Sequence, residues 1–392
     1  MSTRSIVGVN GANFFVAEIL GVTLPFIGDF LRERGWRYDT IGLAGAVAGL
    51  GIFVMQTPAG ILVDRIAARR WLLAAAAVAF GACVGLLPLL PSTWEVVVGL
   101  LFVGGAAQAF FVPTLAALAL GLVGHGAFSR MMGANQGWNH AGNLFAALSA
   151  MALVSAWGIP AVFFSVAVVS FLAAASALLV DPREVDDRRA TGREGAPQVG
   201  SLFRDRRVAA LFVAVLLFHL ANAPTMPLVA LDLVRLGGSQ RQVAAVVLVS
   251  QAVMVPMAIS AGWLSERWGR KPVFAVAFFT LPLRIASYSF AQEPGTLVAL
   301  QALDGIGAGI YGVSIAVMSA DLAQGRGHFN ALMGVFATAM SLGGVLGPLG
   351  AGALVQHLGF DTAFRVIAMV AMLAAVAFVL LVPETGRVRS RP

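Results

Sequence analysis

The sequence predicts an all-α integral membrane protein with twelve transmembrane helices in two pseudo-symmetric six-helix bundles. Three observations carry this. Of 392 residues, 59% are hydrophobic and 11% charged, against about a quarter charged in a soluble domain. The charges are clustered, and the apolar stretches between them run to roughly 18–25 residues, the length that crosses a bilayer as helix. The third observation is a duplication. Gly60-Ile61-Leu62-Val63-Asp64-Arg65 leads into Arg69-Arg70, and Gly262-Trp263-Leu264-Ser265-Glu266-Arg267 leads into Arg270-Lys271. Each copy is a short charged turn between two apolar segments. A soluble helical protein would need polar faces that these segments lack.

In chain order, segments 1 to 6 fall near 6–30, 41–62, 71–90, 95–122, 131–155 and 160–180. Segments 7 to 12 fall near 207–233, 242–264, 272–291, 296–322, 329–356 and 362–382. Segment 1 is too long for a signal peptide and carries Asn10, Asn13 and Glu18, so it is expected to be a retained helix. Cys83 is the single cysteine, which excludes an intrachain disulfide and a cysteine zinc site. After segment 6, Asp181-Pro182-Arg183-Glu184 through Val199-Gly200 is charged and without apolar period, as a mobile linker is. Residues 201–207 suit a short amphipathic helix on the inner surface. The organisation is therefore an N-terminal bundle over 1–180, a cytoplasmic linker over 181–206, and a C-terminal bundle with a short cytoplasmic tail over 207–392.

The duplication extends beyond the two turns. Thr23-Leu24-Pro25 in segment 1 and Thr225-Met226-Pro227 in segment 7 share the 202-residue offset of Gly60 and Gly262. Gly124, Gly126, Phe128, Met132 and Gly133 recur at an offset of 201 as Gly325, Gly327, Phe329, Met333 and Gly334. Duplicated six-helix halves are one way in which membrane transporters are built.

Arginine placement sets the orientation. With a cytoplasmic N-terminus, inner segments hold Arg4, Arg65, Arg69, Arg70, Arg130, Arg326 and the 267–271 group. They also hold seven arginines between 183 and 207, and Arg387, Arg389 and Arg391. Outer loops hold Arg32, Arg34, Arg37, Arg235 and Arg241. Both termini are then expected inside, in a multi-pass protein of the cell (inner) membrane. The formal net charge of +7 follows from topology, and no nucleic-acid partner is expected.

On these residues the chain resembles the major facilitator superfamily over essentially its whole length. Gly60, Asp64, Arg65, Arg69 and Arg70 match its signature loop between helices 2 and 3; Gly262, Glu266, Arg267, Arg270 and Lys271 match the second copy. The resemblance implies two bundles around a central cavity lined by helices 1, 4, 7 and 10, rocking between inward-open and outward-open states. It also implies that Asp64 and Glu266, with their arginines, form a cytoplasmic charge latch. Charges at helix ends can pair, or meet helix dipoles, in one state only.

Polar residues inside the membrane supply the site candidates, because an ionisable group there is costly unless paired or hydrated. Glu18 lies deep in segment 1, with Val22, Pro25 and Asp29 on its face at helical spacing, and is placed to load and release a proton. In segment 5, Asn135, Asn139 and Asn143 stack at i, i+4 and i+8 beside Gln136 and His140. That is wider than interhelical glue requires, and His140 can titrate in the working range. Gln108 on segment 4 completes this half. The second half offers His219 and Asn222 on segment 7, Gln251 on segment 8, and Gln301, Asp304 and Tyr311 on segment 10. Arg284 on segment 9 needs an anion, and Asp304 is its candidate partner in a buried charge pair.

Some family features differ. Many proton-driven exporters carry an arginine four residues before a glycine on helix 4, where this chain has Leu100 before Gly104. The glycine-rich Gly-Pro motif of their helix 5 is absent there, and something like it stands in segment 11, from Gly343 to Gly347-Pro348. Pro383-Glu384-Thr385 resembles a tripeptide of sugar porters. No phosphate loop, metal-spaced histidine pair or nucleophile elbow is found, so neither an enzyme nor ATP-driven transport is expected. The expected activity is secondary transport of a small organic solute by alternating access, proton-coupled and more in keeping with export. The alternatives are an uncoupled facilitator or importer, or a non-transporting sensor with the same fold. No cofactor is expected beyond a proton gradient, and the partners are the small-molecule substrate and the bilayer around a monomer.

Overall fold

The computed structural model describes residues 2–192 and 205–386. Fourteen α-helices are described: α1 Thr3–Glu33, α2 Tyr38–Arg65, α3 Arg69–Leu86, α4 Trp94–Gln108, α5 Phe111–Trp157, α6 Ile159–Leu179, α7 Asp187–Thr191, α8 Arg206–Asn222, α9 Thr225–Arg235, α10 Gln240–Trp268, α11 Arg270–Tyr288, α12 Pro294–Ala299, α13 Gln301–Ala323 and α14 Phe329–Leu381. Among the described residues, nine helical runs are long and apolar enough to cross a membrane. Two of these are too long to be single crossings. The run Trp94–Trp157 has 64 residues, about 96 Å of helix against a hydrocarbon core of about 30 Å. It breaks at Gly124, where φ is 65°. The run Phe329–Leu381 likewise breaks at Gly359, where φ is 77°. With α11, which carries Arg284, the crossings number twelve.

The breaks have local causes. Pro113 cannot donate to the carbonyl of Ala109, so the predicted segment 95–122 is interrupted between α4 and α5. Pro224 and Pro227 interrupt 207–233 in the same way, between α8 and α9. Glycine carries the sharp turns because only it takes left-handed φ cheaply, and these turns repeat. Gly158 and Gly359 both have φ 77° at an offset of 201 residues, as do Gly124 at 65° and Gly325 at 77°.

By contacts the chain forms two compact units. Unit 1 is Met1–Phe128, Trp138–Gly195 and Gly327–Gly334; unit 2 is Ser129–Gly137, Ala196–Arg326 and Val335–Pro392. In unit 1, α6 packs against α1 and α3, and α4 against α2 and α3. In unit 2, α13 packs against α10 and α11. The repeat reaches the packing. A Cβ on Gly105 would lie 2.2 Å from the Ala48 carbonyl, and one on Gly305 would lie 2.6 Å from that of Ser250. Small residues let these helix backbones meet.

The first part of the linker is folded, contrary to the expectation of a mobile stretch. Asp181 caps a 3₁₀ turn at Pro182–Glu184, and Asp186 caps α7 by accepting from the backbone of Arg188 and Arg189. Ala190 and Thr191 are buried, so even this five-residue helix has an inner face. Residues 193–204 lie outside the described residues, with Arg193, Arg204 and most of the expected amphipathic helix. So do Arg387, Arg389 and Arg391. Asp205 caps α8, into which Arg206 and Arg207 are incorporated.

Candidate gating and transport residues

The two signature loops are built alike and satisfied differently. In unit 1, Asp64 ends α2, and its carboxylate accepts from the backbone N–H groups of Asn330 at 3.3 Å and Ala331 at 2.8 Å. The Asn330 side-chain amide adds a bond of 2.8 Å. These donors form the first turn of α14, so Asp64 meets a positive helix end. Asn330 also donates to the Ala190 carbonyl of α7 at 3.1 Å. Gly60 permits the approach, since a Cβ there would lie 2.2 Å from the Asn330 carbonyl oxygen. Buried Arg69 donates to the Val63 carbonyl at 3.1 Å and pairs with Asp187 at 2.5 Å. Arg70 donates to the Val180 carbonyl at 3.2 Å; Arg65 is exposed.

In unit 2, Glu266 pairs with Arg130 at 2.9 Å. A Cβ on Gly262 would lie 2.5 Å from the Ser129 carbonyl oxygen. Arg267 lies over the Trp263 ring at 4.4 Å, and Arg270 pairs with Asp321 at 3.0 Å. The Glu384 carboxylate accepts from the backbone N–H groups of Arg270 at 2.9 Å and Lys271 at 3.0 Å. Among the described residues, therefore, neither loop acid pairs with an arginine of its own loop. Arg69 and Arg270 open the helix after each loop and bond carbonyls of the preceding one, Val63 and Ser265, whereas Arg65 and Arg267 close the helix before it.

Among the membrane segments, Glu18 is 6% exposed and has no hydrogen-bond or ion-pair partner among the described residues. It lies between two close contacts of α1 with α5: Phe14 and Ala17 at Gly142, and Gly21 at Asn143 and Ala146. The side chains of Val22, Pro25 and Asp29, expected on its face, lie outside the described ones. The polar stripe of α5 divides between the units. Asn135 and Gln136 belong to unit 2, and Asn139, His140 and Asn143 to unit 1. Asn143 donates to the Asn139 carbonyl at 3.2 Å. Asn135 is buried, Gln136 packs against Gly312, and His140 and Gln108 are half-buried.

In unit 2, Arg284 and Asp304 form an ion pair, with side chains 3% and 10% exposed. Arg284 also donates to Asn222 at 2.6 Å and to Thr225 at 3.0 Å. Ser250 donates to Asp304. Tyr288 lies 6.0 Å under the guanidinium and donates to Gln301 at 3.3 Å. Tyr311, seven residues beyond Asp304, joins a different group. Its ring stacks on Phe218 at 4.8 Å and meets His219 edge-on at 5.0 Å. The Tyr311 hydroxyl and His219 Nε2 are buried without a hydrogen-bond partner among the described residues. Gln251 is half-buried. Nothing in the sequence marks Ser250, Asn330, Asp187 or Asp321. Short polar residues and helix-end acids carry no signal until their partners are known.

Twelve crossings, a repeated bundle plan and charges held inside it define a multi-pass membrane transporter. A profile of the Major Facilitator Superfamily matches residues 6–231 and again 211–392. The uncharacterised MFS-type transporter Rv2456c of Mycobacterium tuberculosis is 36% identical over 396 residues, covering 97% of this chain and 94% of the relative. The multidrug resistance protein MdtG of Dickeya zeae is 24% identical over 380 residues, covering 92% and 90%. The structure of the proton:xylose symporter XylE superposes with a TM-score of 0.78 at 14% identity, over 97% of this chain and 96% of that one. The chain belongs to the Major Facilitator Superfamily, whose members are transporters of small molecules and not enzymes.

Proposed function

We propose that the protein is a proton-coupled exporter of a small organic solute, working by alternating access as a monomer in the inner membrane with both termini cytoplasmic. Glu18 carries the reading. An ionised carboxylate inside a membrane protein needs a counter-charge or water, and a proton removes that need. Glu18 has no counter-charge among the described residues, whereas Asp304 is paired with Arg284 and bonded by Ser250. The proton is therefore assigned to Glu18, and the Arg284–Asp304 pair to holding unit 2 together. The half-buried amides and histidine of α5 suit a polar or zwitterionic solute. The Asp64 cap on α14 and the Glu266–Arg130 pair are the contacts a latch would release. Export is supported by the likeness to a multidrug resistance protein.

The test begins with thermal shifts of the purified protein at about pH 5.5 and 7.5, against lipophilic cations, organic acids, amino acids, sugars and metal chelates. A ligand of the folded state raises the melting temperature by mass action. With a ligand in hand, Glu18→Gln should retain binding and lose flux driven by a pH gradient in proteoliposomes. Unchanged flux would remove proton coupling through Glu18.

A further inference from the structure

A cavity of about 360 Å³ lies in unit 1, between the loop joining α2 to α3, Leu118 of α5, the turn after α6, and Asp187 of α7. Its volume is within the range of small-ligand sites, about 300–1,000 Å³. Two residues give it a chemical character. Arg70 has no carboxylate within ion-pair distance among the described residues, since Asp187 is taken by Arg69 at 2.5 Å. Trp71 is 57% exposed, and the Arg70 guanidinium lies 5.8 Å from its ring. An exposed indole where membrane segments end belongs at headgroup depth. With the lining Asp187 already paired to Arg69, the arginine left in a pocket between such segments fits a lipid headgroup.

The internal repeat supplies an independent argument. At an offset of 201, Arg70 corresponds to Lys271, Pro182 to Pro383 and Arg183 to Glu384. In the second copy the Glu384 carboxylate occupies the first turn of α11, accepting from the N–H groups of Arg270 and Lys271 at 2.9 and 3.0 Å. In the first copy that acid is replaced by exposed Arg183. The neighbouring Glu184 turns away to accept from the Ser2 N–H at 2.8 Å. The position that carries a carboxylate in one repeat thus carries an exposed arginine in the other, next to a cavity whose Arg70 donates to the Val180 carbonyl at 3.2 Å and meets no carboxylate among the described residues.

We propose that this cavity binds the phosphodiester of an anionic membrane lipid, held by Arg70 with its glycerol end against Trp71 and Leu118. Arginine's planar fork suits phosphate oxygens, and the walls supply the apolar contact. The same chemistry would hold a free phosphate ester, so the experiment separates the two. Delipidated full-length protein in neutral detergent is titrated with dioctanoyl-phosphatidylglycerol and, separately, with glycerol 3-phosphate, following the melting temperature. The lipid should give a saturable rise and glycerol 3-phosphate none at the same concentrations. Arg70→Gln, and Arg183→Glu, which restores the second repeat's carboxylate, should each weaken the lipid effect at least tenfold. Arg183 is exposed, so its variant keeps the test open if Arg70→Gln does not fold. An equal rise with glycerol 3-phosphate would overturn the lipid assignment. No rise in the wild type, or a wild-type response in both variants, would overturn the site.

Discussion

Replacing Asp304 with Asn should destabilise the protein far more than replacing Asp304 and Arg284 together with apolar residues. The two side chains are 3% and 10% exposed, so neither charge has water to fall back on. In Asp304→Asn the Arg284 guanidinium keeps only neutral acceptors, Asn222 and Thr225, and stays charged. Removing one partner of a buried pair costs about 3–5 kcal/mol, while an apolar replacement of both is close to neutral. At roughly 2–4 °C per kcal/mol for a unit of this size, Asp304→Asn should lower the melting temperature by about 6–20 °C. The double variant Arg284→Met/Asp304→Leu should recover most of that. Arg284→Met alone should fall between them, because a lone Asp304 can take up a proton and still be bonded by Ser250. The assay is thermal unfolding of the four proteins in one detergent at pH 7.5. Additive effects of the single changes, or no effect of Asp304→Asn, would refute the pair.

Two further outcomes follow from other contacts. Asp205, outside the membrane segments, is held well below the usual carboxylate range, chiefly by the hydrogen bond from Arg207; it also pairs with Arg326 at 2.6 Å. A lowered folded value makes its contribution complete above the unfolded value of about 3.9, with loss as pH falls through the folded one. Asp205→Asn keeps a good helix cap, so its melting-temperature deficit at pH 7 should begin to shrink near pH 4; a constant deficit would mean that charge is not the cause. Gly60→Val should cost about 1–3 kcal/mol by overpacking, since its Cβ would lie 2.2 Å from the Asn330 carbonyl oxygen. Gly49→Val, with nothing within 4 Å, should cost much less, and equal losses would contradict the close contact.

Membrane insertion, the twelve crossings and the duplication were determined by the sequence alone. Each depends on run length, composition and offset, which are properties of the chain read in one dimension. The candidate charges were visible too, because an Arg284 or a Glu18 in an apolar helix is conspicuous whatever surrounds it. The folded start of the linker was not visible: α7 has five residues, too few to show a period.

Only the tertiary structure decided what each charge meets. Helical spacing places Asp304 and Tyr311 on one face, yet Asp304 joins Arg284 and Ser250 while Tyr311 joins Phe218 and His219. Asp64 and Glu266 occupy equivalent places in the repeat, yet one caps the first turn of α14 and the other pairs with Arg130. At the offset of 201, Arg130 corresponds to Ala331, so a guanidinium stands in one copy where a bare backbone N–H stands in the other. Electrostatic partners are chosen within about 4 Å, between residues as near in the chain as Arg284 and Asp304 or as far as Asp64 and Ala331. A pattern along one helix fixes the direction in which a side chain leaves the axis, and the packing of the neighbouring helices fixes what it finds there.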